Sequence, residues 1–171
     1  MYYPKKITLF ILGLIFMLAY LTTYLSAYTL IKDQSTLTFK AYQFKRLPTR
    51  GEFHSFSTTL NWPNEITVTL NIKSIDTENK TRDRHLRSPD FLDVIAFPKA
   101  TFKSNSIQIE GTSKHKYTVS GHLTLKGKTL PLSFPIETIP SGNTIRFKVN
   151  TSINRFDYGI RHYKRTVHKK V

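Results

Sequence analysis

The sequence contains no cysteine, and this absence removes several classes of protein at once. Disulfide-stapled folds, CxxC redox sites, cysteine zinc sites, thiol nucleophiles and lipoprotein attachment are all excluded. The chain also lacks a GxSxG nucleophile elbow, a glycine-rich phosphate loop and the HExxH or HxH spacing of histidine metal sites. We therefore expect no catalytic residues, no metal and no cofactor.

Acidic residues are scarce. The chain has 11 Asp and Glu against 26 Lys and Arg, a formal charge of +15. Such an excess indicates polyanionic surroundings, such as nucleic acid, anionic lipid or a cell-envelope polymer, unless the lysines are merely solvated. Apolar residues make up 39% of the 171 residues, enough for the packed core of about one domain.

The N-terminus resembles an export signal. Lys5 and Lys6 precede an apolar stretch, and Ala27 stands before a polar mature start. The alternative is an uncleaved anchor, because residues 7–25 would measure about 28 Å as a helix and just span a bilayer. We expect residues 1–27 to be a signal peptide or membrane anchor and residues 28–171 to be the folded domain beyond the membrane. Export disfavours nucleic acid as a partner.

The body of the chain alternates apolar and polar residues, the pattern of half-buried strands. The clearest runs are residues 66–72, 117–125, 130–136 and 145–151, and weaker ones are residues 37–44, 52–60 and 100–110. A tight hairpin turn is predicted at residues 125–128 and a longer one at residues 140–143. Pro131 and Pro135 fall on the polar face of their strand, which suits an edge or bulged strand. We predict roughly eight antiparallel strands, closed as a barrel that can hold one small ligand or packed as a sandwich.

Residues 77–97 break the alternation and predict a short helical insertion. Asp83 and Arg87 stand at i and i+4, the spacing of a helical ion pair. Ser88-Pro89-Asp90 is typical of the start of a second helical turn, on which Phe91 and Ile95 would share one face. Pro98 should end the insertion.

Several segments together resemble the YceI-like family. They are Ser74-Ile75-Asp76-Thr77-Glu78-Asn79 with residues 82–94, residues 97–102, Gly121-His122-Leu123-Thr124-Leu125-Lys126-Gly127, residues 49–53 and residues 154–160. The resemblance covers essentially all of residues 28–171. It implies a lipocalin-like antiparallel barrel with an apolar interior for a polyisoprenoid chain, periplasmic location and no established catalytic residue. Residues 167–171 depart from the family, which usually runs on through a full last strand, and this leaves barrel closure at that seam open.

Two groups of residues are candidates for the site. Arg82 and His85 would lie at the barrel mouth and meet a phosphate or other polar head, or would belong to a salt-bridged cap in which Asp83 pairs with Arg87. Inward-facing apolar residues would line the interior, unless they simply pack the core. These liners are Phe39, Phe53, Val68, Leu70, Ile72, Phe102, Val119, Leu123, Phe134, Phe147 and Val149.

Residues 161–171 carry five Lys and Arg, two His and no acid. They would attract an anionic membrane surface, or form a solvated tail. Taken together, the sequence predicts a secreted or periplasmic, non-enzymatic carrier of a polyisoprenoid or related amphiphile, either free or anchored at its N-terminus. The alternatives are an envelope enzyme that uses Asp76, Arg82 and His85 on a lipid-linked substrate, and an interaction barrel with a filled core.

Overall fold

The computed structural model describes residues 28–42 and 48–160. The predicted signal or anchor and residues 161–171 lie outside the described residues. Within these ranges one α-helix, α1, spans Lys80–Arg87, and short 3-10 turns occupy Lys32–Gln34 and Ile72–Ser74. The strands are β1 (Thr38–Ala41), β2 (Thr49–Phe53), β3 (Phe56–Asn61), β4 (Glu65–Asn71), β5 (Ile75–Asp76), β6 (Lys99–Ile109), β7 (Lys116–Leu125), β8 (Lys128–Ser141) and β9 (Thr144–Val149).

All strand pairs in the described part of the chain are antiparallel, and they form two sheets. One has the order β1-β2-β5 and the other the order β3-β4-β6-β7-β8-β9. The larger sheet curls into a half-barrel. The predicted all-β antiparallel fold with a helical insertion is confirmed. The predicted closed barrel of eight strands is not confirmed, because residues 28–42 and 48–160 form nine strands in two sheets.

The extra strands arise from a kinked hairpin that joins the two sheets. The alternating run predicted over residues 52–60 breaks at His54-Ser55 into β2 and β3, and the 3-10 turn Ile72–Ser74 separates β4 from β5. Backbone bonds continue across the break, since the N–H of His54 donates to the carbonyl of Ser74 at 3.3 Å and the N–H of Asn71 to that of Ser55 at 2.9 Å. The hairpin therefore bends without losing its pairing.

The predicted turn chemistry is confirmed at the β7–β8 hairpin. Leu125 pairs with Lys128, and the two residues between them, Lys126 and Gly127, both have positive φ, 48° and 74°. Tight two-residue hairpins require this geometry, which glycine adopts without strain. The β8–β9 turn is shorter than predicted, because Ser141 pairs directly with Thr144.

Strand β8 explains the position of its prolines. Its second half, from Ile136 onward, pairs with β9, whereas Pro131 and Pro135 lie in the half that has only β7 as a neighbour in the described part of the chain. A missing N–H donor is tolerated along such an edge. The predicted edge position is confirmed for this half of β8.

The insertion differs in part from its prediction. Ser88 does not begin a second helical turn but ends α1, since its N–H donates to the carbonyl of His85 at 3.1 Å. Serine and proline are found at both ends of helices, and the chain continues here as turns up to Pro98. Phe91 is half-buried, whereas Ile95 is 88% exposed, so the predicted shared face is wrong.

The core consists of two groups of buried side chains. The insertion cluster lies beneath the helical insertion and contains Ile72, Ile75, Leu92, Ala100, Tyr158 and Ile160. The sheet cluster lies on the inner face of the half-barrel and contains Ile66, Phe102, Val119 and Ile136. Leu123 packs against both clusters and joins them into one apolar region.

Candidate functional site

The inner face of the half-barrel is apolar along neighbouring strands. The pairing brings Val68 of β4 beside Phe102 of β6, and Phe102 beside Leu123 of β7. Val119 is paired with Phe134 of β8 in the same way. Because residues opposite one another in a ladder share a face, these strands place their apolar side chains side by side.

Aromatic rings cover much of this face. The rings of Phe102 and Phe134 lie 4.9 Å apart, and Trp62 meets Tyr117 at 4.7 Å and Phe147 at 5.0 Å, both edge to face. Such pairs are favourable beyond their buried area. The same face therefore contains a packed aromatic layer, and it presents rings that are only partly buried.

Gly121 makes the close packing of β6 and β7 possible. A Cβ at this position would lie 2.2 Å from the carbonyl oxygen of Lys103 and 2.8 Å from Cζ of Phe102. The absent side chain therefore leaves the space that the ring of Phe102 occupies. This glycine interrupts the alternating apolar pattern for a steric reason.

The predicted liners fall into three groups by burial. Ile72, Phe102 and Val119 are buried, and Val119 has no exposed surface, so it serves packing. Val149 lies at the edge strand β9 and is 47% exposed. The others are half-buried with apolar surface left over, and they are Phe39, Phe53, Val68, Leu70, Leu123, Phe134 and Phe147. A lining role for this set stays a prediction.

Sequence reasoning missed several members of the same face. Ile66, Leu132 and Ile136 belong to runs whose alternation was visible and could have been included. Ser104 could not be predicted, because a polar residue at an inward-facing position interrupts the alternation of apolar and polar residues. Its buried hydroxyl accepts the N–H of Ile66 at 2.8 Å beside the bulge between Ser104 and Ser106.

Thr77 holds the helical insertion to the sheet. The buried carboxylate of Asp83 accepts hydrogen bonds from the Thr77 N–H at 3.0 Å and hydroxyl at 2.6 Å. Arg82 donates from Nε to the same hydroxyl oxygen at 2.8 Å and from Nη2 to the Thr77 carbonyl at 2.7 Å. The side chain of Asn79 caps the helix by accepting the N–H of Arg82 at 3.0 Å.

The predicted Asp83–Arg87 pair does not form. Asp83 turns inward to Thr77, while the guanidinium of Arg87 donates to the backbone carbonyls of Lys73 and Ile75. The i, i+4 spacing would allow the pair. Asp83, however, accepts two hydrogen bonds from Thr77, and Arg87 donates to two backbone carbonyls, so each side chain already has other partners. The salt-bridged cap is thus replaced by a hydrogen-bonded one.

The predicted head-group residues face different partners. Arg82 is bound to Thr77, and the His85 ring lies 5.9 Å from the ring of Phe91, edge to face. Arg155, for which the sequence predicts no role at the site, places Cζ 5.7 Å from the same Phe91 ring. A head-group role for Arg82 and His85 stays a prediction.

A second polar group, missed from the sequence, lies at the kinked hairpin. His54 stands between two carboxylates, with Nδ1 3.1 Å from Glu52 and Nε2 3.0 Å from Asp76. The hydrogen bond to Asp76 is the main cause that raises the pKa of His54. The N–H of Glu78 is the main cause that lowers the pKa of Asp76, followed by His54. Asp76 is therefore engaged by His54 and by the Glu78 N–H.

Two hollows lie outside the apolar face. One, of about 320 Å³, is lined by residues 30–37 and 52–56 where the sheets meet. The other, of about 710 Å³, lies beside α1 and is lined by acids and bases together, namely Asp76, Glu78, Asn79, Lys80, Asp83, Arg84 and Arg87. Because both signs of charge line it, this hollow does not select an anion. No helix among the described residues has the length and apolar character to cross a membrane.

A curled antiparallel sheet with an apolar inner face and a helical insertion packed beside it defines a class of all-β half-barrel proteins. The family model of the YceI-like domain matches residues 28–171. The chain belongs to the YceI-like domain family.

Relatives and solved structures agree with this assignment. Protein YceI of Salmonella arizonae and of Salmonella paratyphi B are each 36% identical over 99 residues, which cover 54% of this chain and 50% of theirs. The chain thus spans about half the length of the curated relatives it matches.

Solved structures share the fold. BcnA of Burkholderia cenocepacia has a TM-score of 0.69 at 25% identity, with 75% of this chain and 83% of that chain covered. The YceI protein of Campylobacter jejuni has a TM-score of 0.62 at 26% identity, with 78% and 84% covered. A polyisoprenoid binding domain from Saccharophagus degradans has a TM-score of 0.60 at 16% identity, with 73% and 76% covered, and this likeness is one of fold.

Proposed function

We propose that this protein binds and carries a polyisoprenoid or related long-chain amphiphile, with the chain laid along the apolar inner face of the half-barrel. It acts by sequestration and not by catalysis, in the periplasm or outside the cell. The polar head lies toward the helical insertion, near His85 and Arg82.

The observation that carries the proposal is the continuous row of half-buried apolar side chains. Val68, Leu123, Phe134 and Phe147 keep apolar surface that the fold does not cover, on a face continuous with two buried clusters. Each methylene of a ligand placed against such a face gains about 0.8 kcal/mol. A chain of many methylenes is therefore the ligand that this surface binds most strongly.

Two further observations support the proposal. A neighbour of the same fold, from Saccharophagus degradans, is a polyisoprenoid binding domain, and this supports a ligand of that type. The basic and apolar N-terminal segment is typical of an exported protein, and this supports a carrier that works among envelope lipids.

The test is native mass spectrometry of the protein purified without denaturant, with analysis of its organic extract. We expect one prenyl-type lipid per chain. Phe134→Asp, which puts a charge on the inner face, should lower occupancy at least about tenfold. Ser133→Asp is the matched control, because Ser133 is the adjacent exposed residue on the outer face of β8 and should leave occupancy unchanged.

Folding of each variant is checked by circular dichroism. If Phe134→Asp does not fold, Leu132→Asn on the same face replaces it, with the same loss expected. Full occupancy in a folded inner-face variant, or no lipid even after incubation with envelope lipids, would show that the face is a filled core.

A further inference from the structure

The turn between β3 and β4 carries Trp62, the single tryptophan of the chain. Its ring meets the ring of Tyr117 on β7 at 4.7 Å and the ring of Phe147 on β9 at 5.0 Å, both edge to face. These three side chains are here called the aromatic stop. All three are half-buried, so their rings keep some exposed apolar surface beside the inner face.

The contact between Trp62 and Phe147 joins strands that are not neighbours. In the order β3-β4-β6-β7-β8-β9, four strand spacings separate β4 from β9, which is about 19 Å in a flat sheet. Two ring centroids 5.0 Å apart therefore require the sheet to curl until its two edges approach one another. In the described part of the chain β9 pairs only with β8, so side chains and not backbone bonds close the half-barrel at this point.

The aromatic stop lies at the end of the half-barrel away from the helical insertion. Tyr117 stands near the start of β7, and Leu125 ends the same strand about 27 Å away at the rise of an antiparallel strand. The hairpin that follows Leu125 reaches the insertion, because the Cα of Gly127 lies against the ring of Phe97. A chain laid along the inner face therefore has the insertion at one end and Trp62 at the other.

The aromatic stop is held in place from several sides. The hydroxyl of Tyr117 donates to the carbonyl of Lys114 at 2.9 Å, and Trp62 is packed against two rings at once. Each methylene laid along the inner face gains contact until the chain reaches these rings. Further methylenes meet side chains that are already packed against one another, so they gain no further cover.

We propose that Trp62 is a specificity-determining residue of the carrier, which sets the longest chain that the half-barrel covers by closing the inner face against Tyr117 and Phe147. The inference rests on the proposed function, because it names the lengths of isoprenoid or alkyl chain that the same face takes. It also places the tail of the ligand, and not its polar head, at Trp62.

The first experiment uses the unchanged chain, with Trp62 as the reporter. Two long-chain alcohols are compared, one brominated at the terminal carbon and one at a carbon next to the hydroxyl, because bromine quenches tryptophan fluorescence only at short range. We expect the terminal bromine to quench Trp62 several-fold more strongly when native mass spectrometry shows equal occupancy. Equal quenching, or stronger quenching by the bromine near the hydroxyl, would overturn the placement of the tail.

The second experiment measures length selection with a mixture of linear isoprenoid alcohols that differ by one isoprene unit. In the unchanged chain, we expect the bound fraction to rise with length up to a limit and to fall beyond it. Trp62→Ala should bind the first alcohol beyond that limit at least about tenfold better, because the added methylenes then find room along the face. A variant that is merely less stable would bind every length less well and would not gain the longer ones.

Tyr42→Ala is the matched control for the length experiment. Tyr42 follows β1 of the smaller sheet and is 68% exposed, so its loss removes an aromatic ring away from the inner face and should leave the limit unchanged. If circular dichroism shows that Trp62→Ala does not fold, Phe147→Ala opens the same contact from β9, with the same shift expected.

Three outcomes of the length experiment would overturn the role of Trp62. They are an unchanged limit in a folded variant of the aromatic stop, the same shift in Tyr42→Ala, and a bound fraction that has no upper limit in the unchanged chain. Binding with an unchanged limit contradicts the role of Trp62 alone, whereas failure to bind an alcohol of any length contradicts the proposed function and this inference together.

Discussion

Thr77 carries most of the polar connections between the helical insertion and the sheet. Its N–H and hydroxyl both donate to the buried Asp83, and its oxygen atoms accept from Arg82. Thr77→Val keeps the shape and removes the hydroxyl, which leaves Asp83 with one donor fewer in a buried place. We expect the free energy of unfolding to fall by about 1–3 kcal/mol.

The measurement is urea denaturation of Thr77→Val beside Thr81→Val, an exposed position on α1. The control should change stability by less than about 0.5 kcal/mol. Equal losses of stability in the two variants would mean that the Thr77 hydroxyl does not stabilise the contact between the helical insertion and the sheet.

His54 gives the kinked hairpin a dependence on pH. Because Asp76 raises the pKa of His54 above 6.5 in the folded chain, the contribution of the imidazolium to stability is complete below 6.5 and is lost as pH rises through the folded value. The pKa of Asp76 is lowered from 3.8, so its contribution is present above 3.8 and is lost as pH falls through the folded value. The stability difference between the unchanged chain and His54→Gln should therefore be largest between pH 3.8 and 6.5.

An NMR titration of the His54 ring identifies the partner responsible. Asp76→Asn should lower the pKa of His54 further than Glu52→Gln does, because the hydrogen bond to Asp76 is the largest cause of the shift. The reverse order would place the stronger interaction at Glu52.

At the scale of elements, β6 and β7 depend on the missing side chain of Gly121. In Gly121→Ala the new Cβ would meet the backbone oxygen of Lys103 at 2.2 Å, and a backbone atom in a paired strand cannot yield as a side chain does. We expect a loss of about 1–3 kcal/mol in the free energy of unfolding.

A second glycine supplies the control for this prediction. Gly111 has a φ of +58° and nothing within 4 Å of its Cβ position, so it is required for backbone conformation and not for space. Asparagine tolerates that conformation, and Gly111→Asn should cost less than about 0.5 kcal/mol. Thermal and urea unfolding compare the two, and similar losses would argue against the steric account of Gly121.

The elements that sequence reasoning predicted are those set by local signals. The period of two along β4, β7 and β8 and the positive φ of Gly127 depend on neighbouring residues alone. The break at His54-Ser55 depends on pairing with distant residues, which no local pattern encodes. The sequence predicts Ser88 at the start of a helical turn, whereas it ends α1, because the same residue types occur at both ends of helices.

At the scale of the whole molecule, the two clusters should unfold together. Leu123 packs against both, and Trp62, the single tryptophan, reports on the sheet cluster through its contacts with Tyr117 and Phe147. We expect the fluorescence transition of Trp62 to coincide with the far-ultraviolet dichroism transition of the whole fold. Leu123→Ala should lower the free energy of unfolding by about 2–3 kcal/mol, since the side chain is half-buried.

Separate transitions in the unchanged chain would contradict this view and make the insertion end an independent unit. Val149→Ala, at an exposed edge position, is the control for Leu123→Ala and should leave both transitions within about 0.5 kcal/mol.

The distribution of charge along the chain could be predicted from the sequence, whereas the closure of the strands into a barrel could not. All 11 acidic residues lie in the described part of the chain with 17 of the 26 Lys and Arg, which leaves nine basic residues and no acid in the remaining segments. This asymmetry was visible in the sequence near residues 161–171. Whether strands close into a barrel was not, because closure depends on the tilt and stagger of every strand at once.

The two prolines of β8 affect the tendency of the protein to aggregate with other copies of the same chain. An open half-barrel presents a strand edge, and an unpaired edge is a template on which a neighbouring chain can add a strand and start a fibril. Pro131 and Pro135 withdraw two backbone donors from the half of β8 that has a single neighbour in the described part of the chain. Copies of the chain that meet at high concentration are thereby protected against edge-to-edge aggregation at this strand.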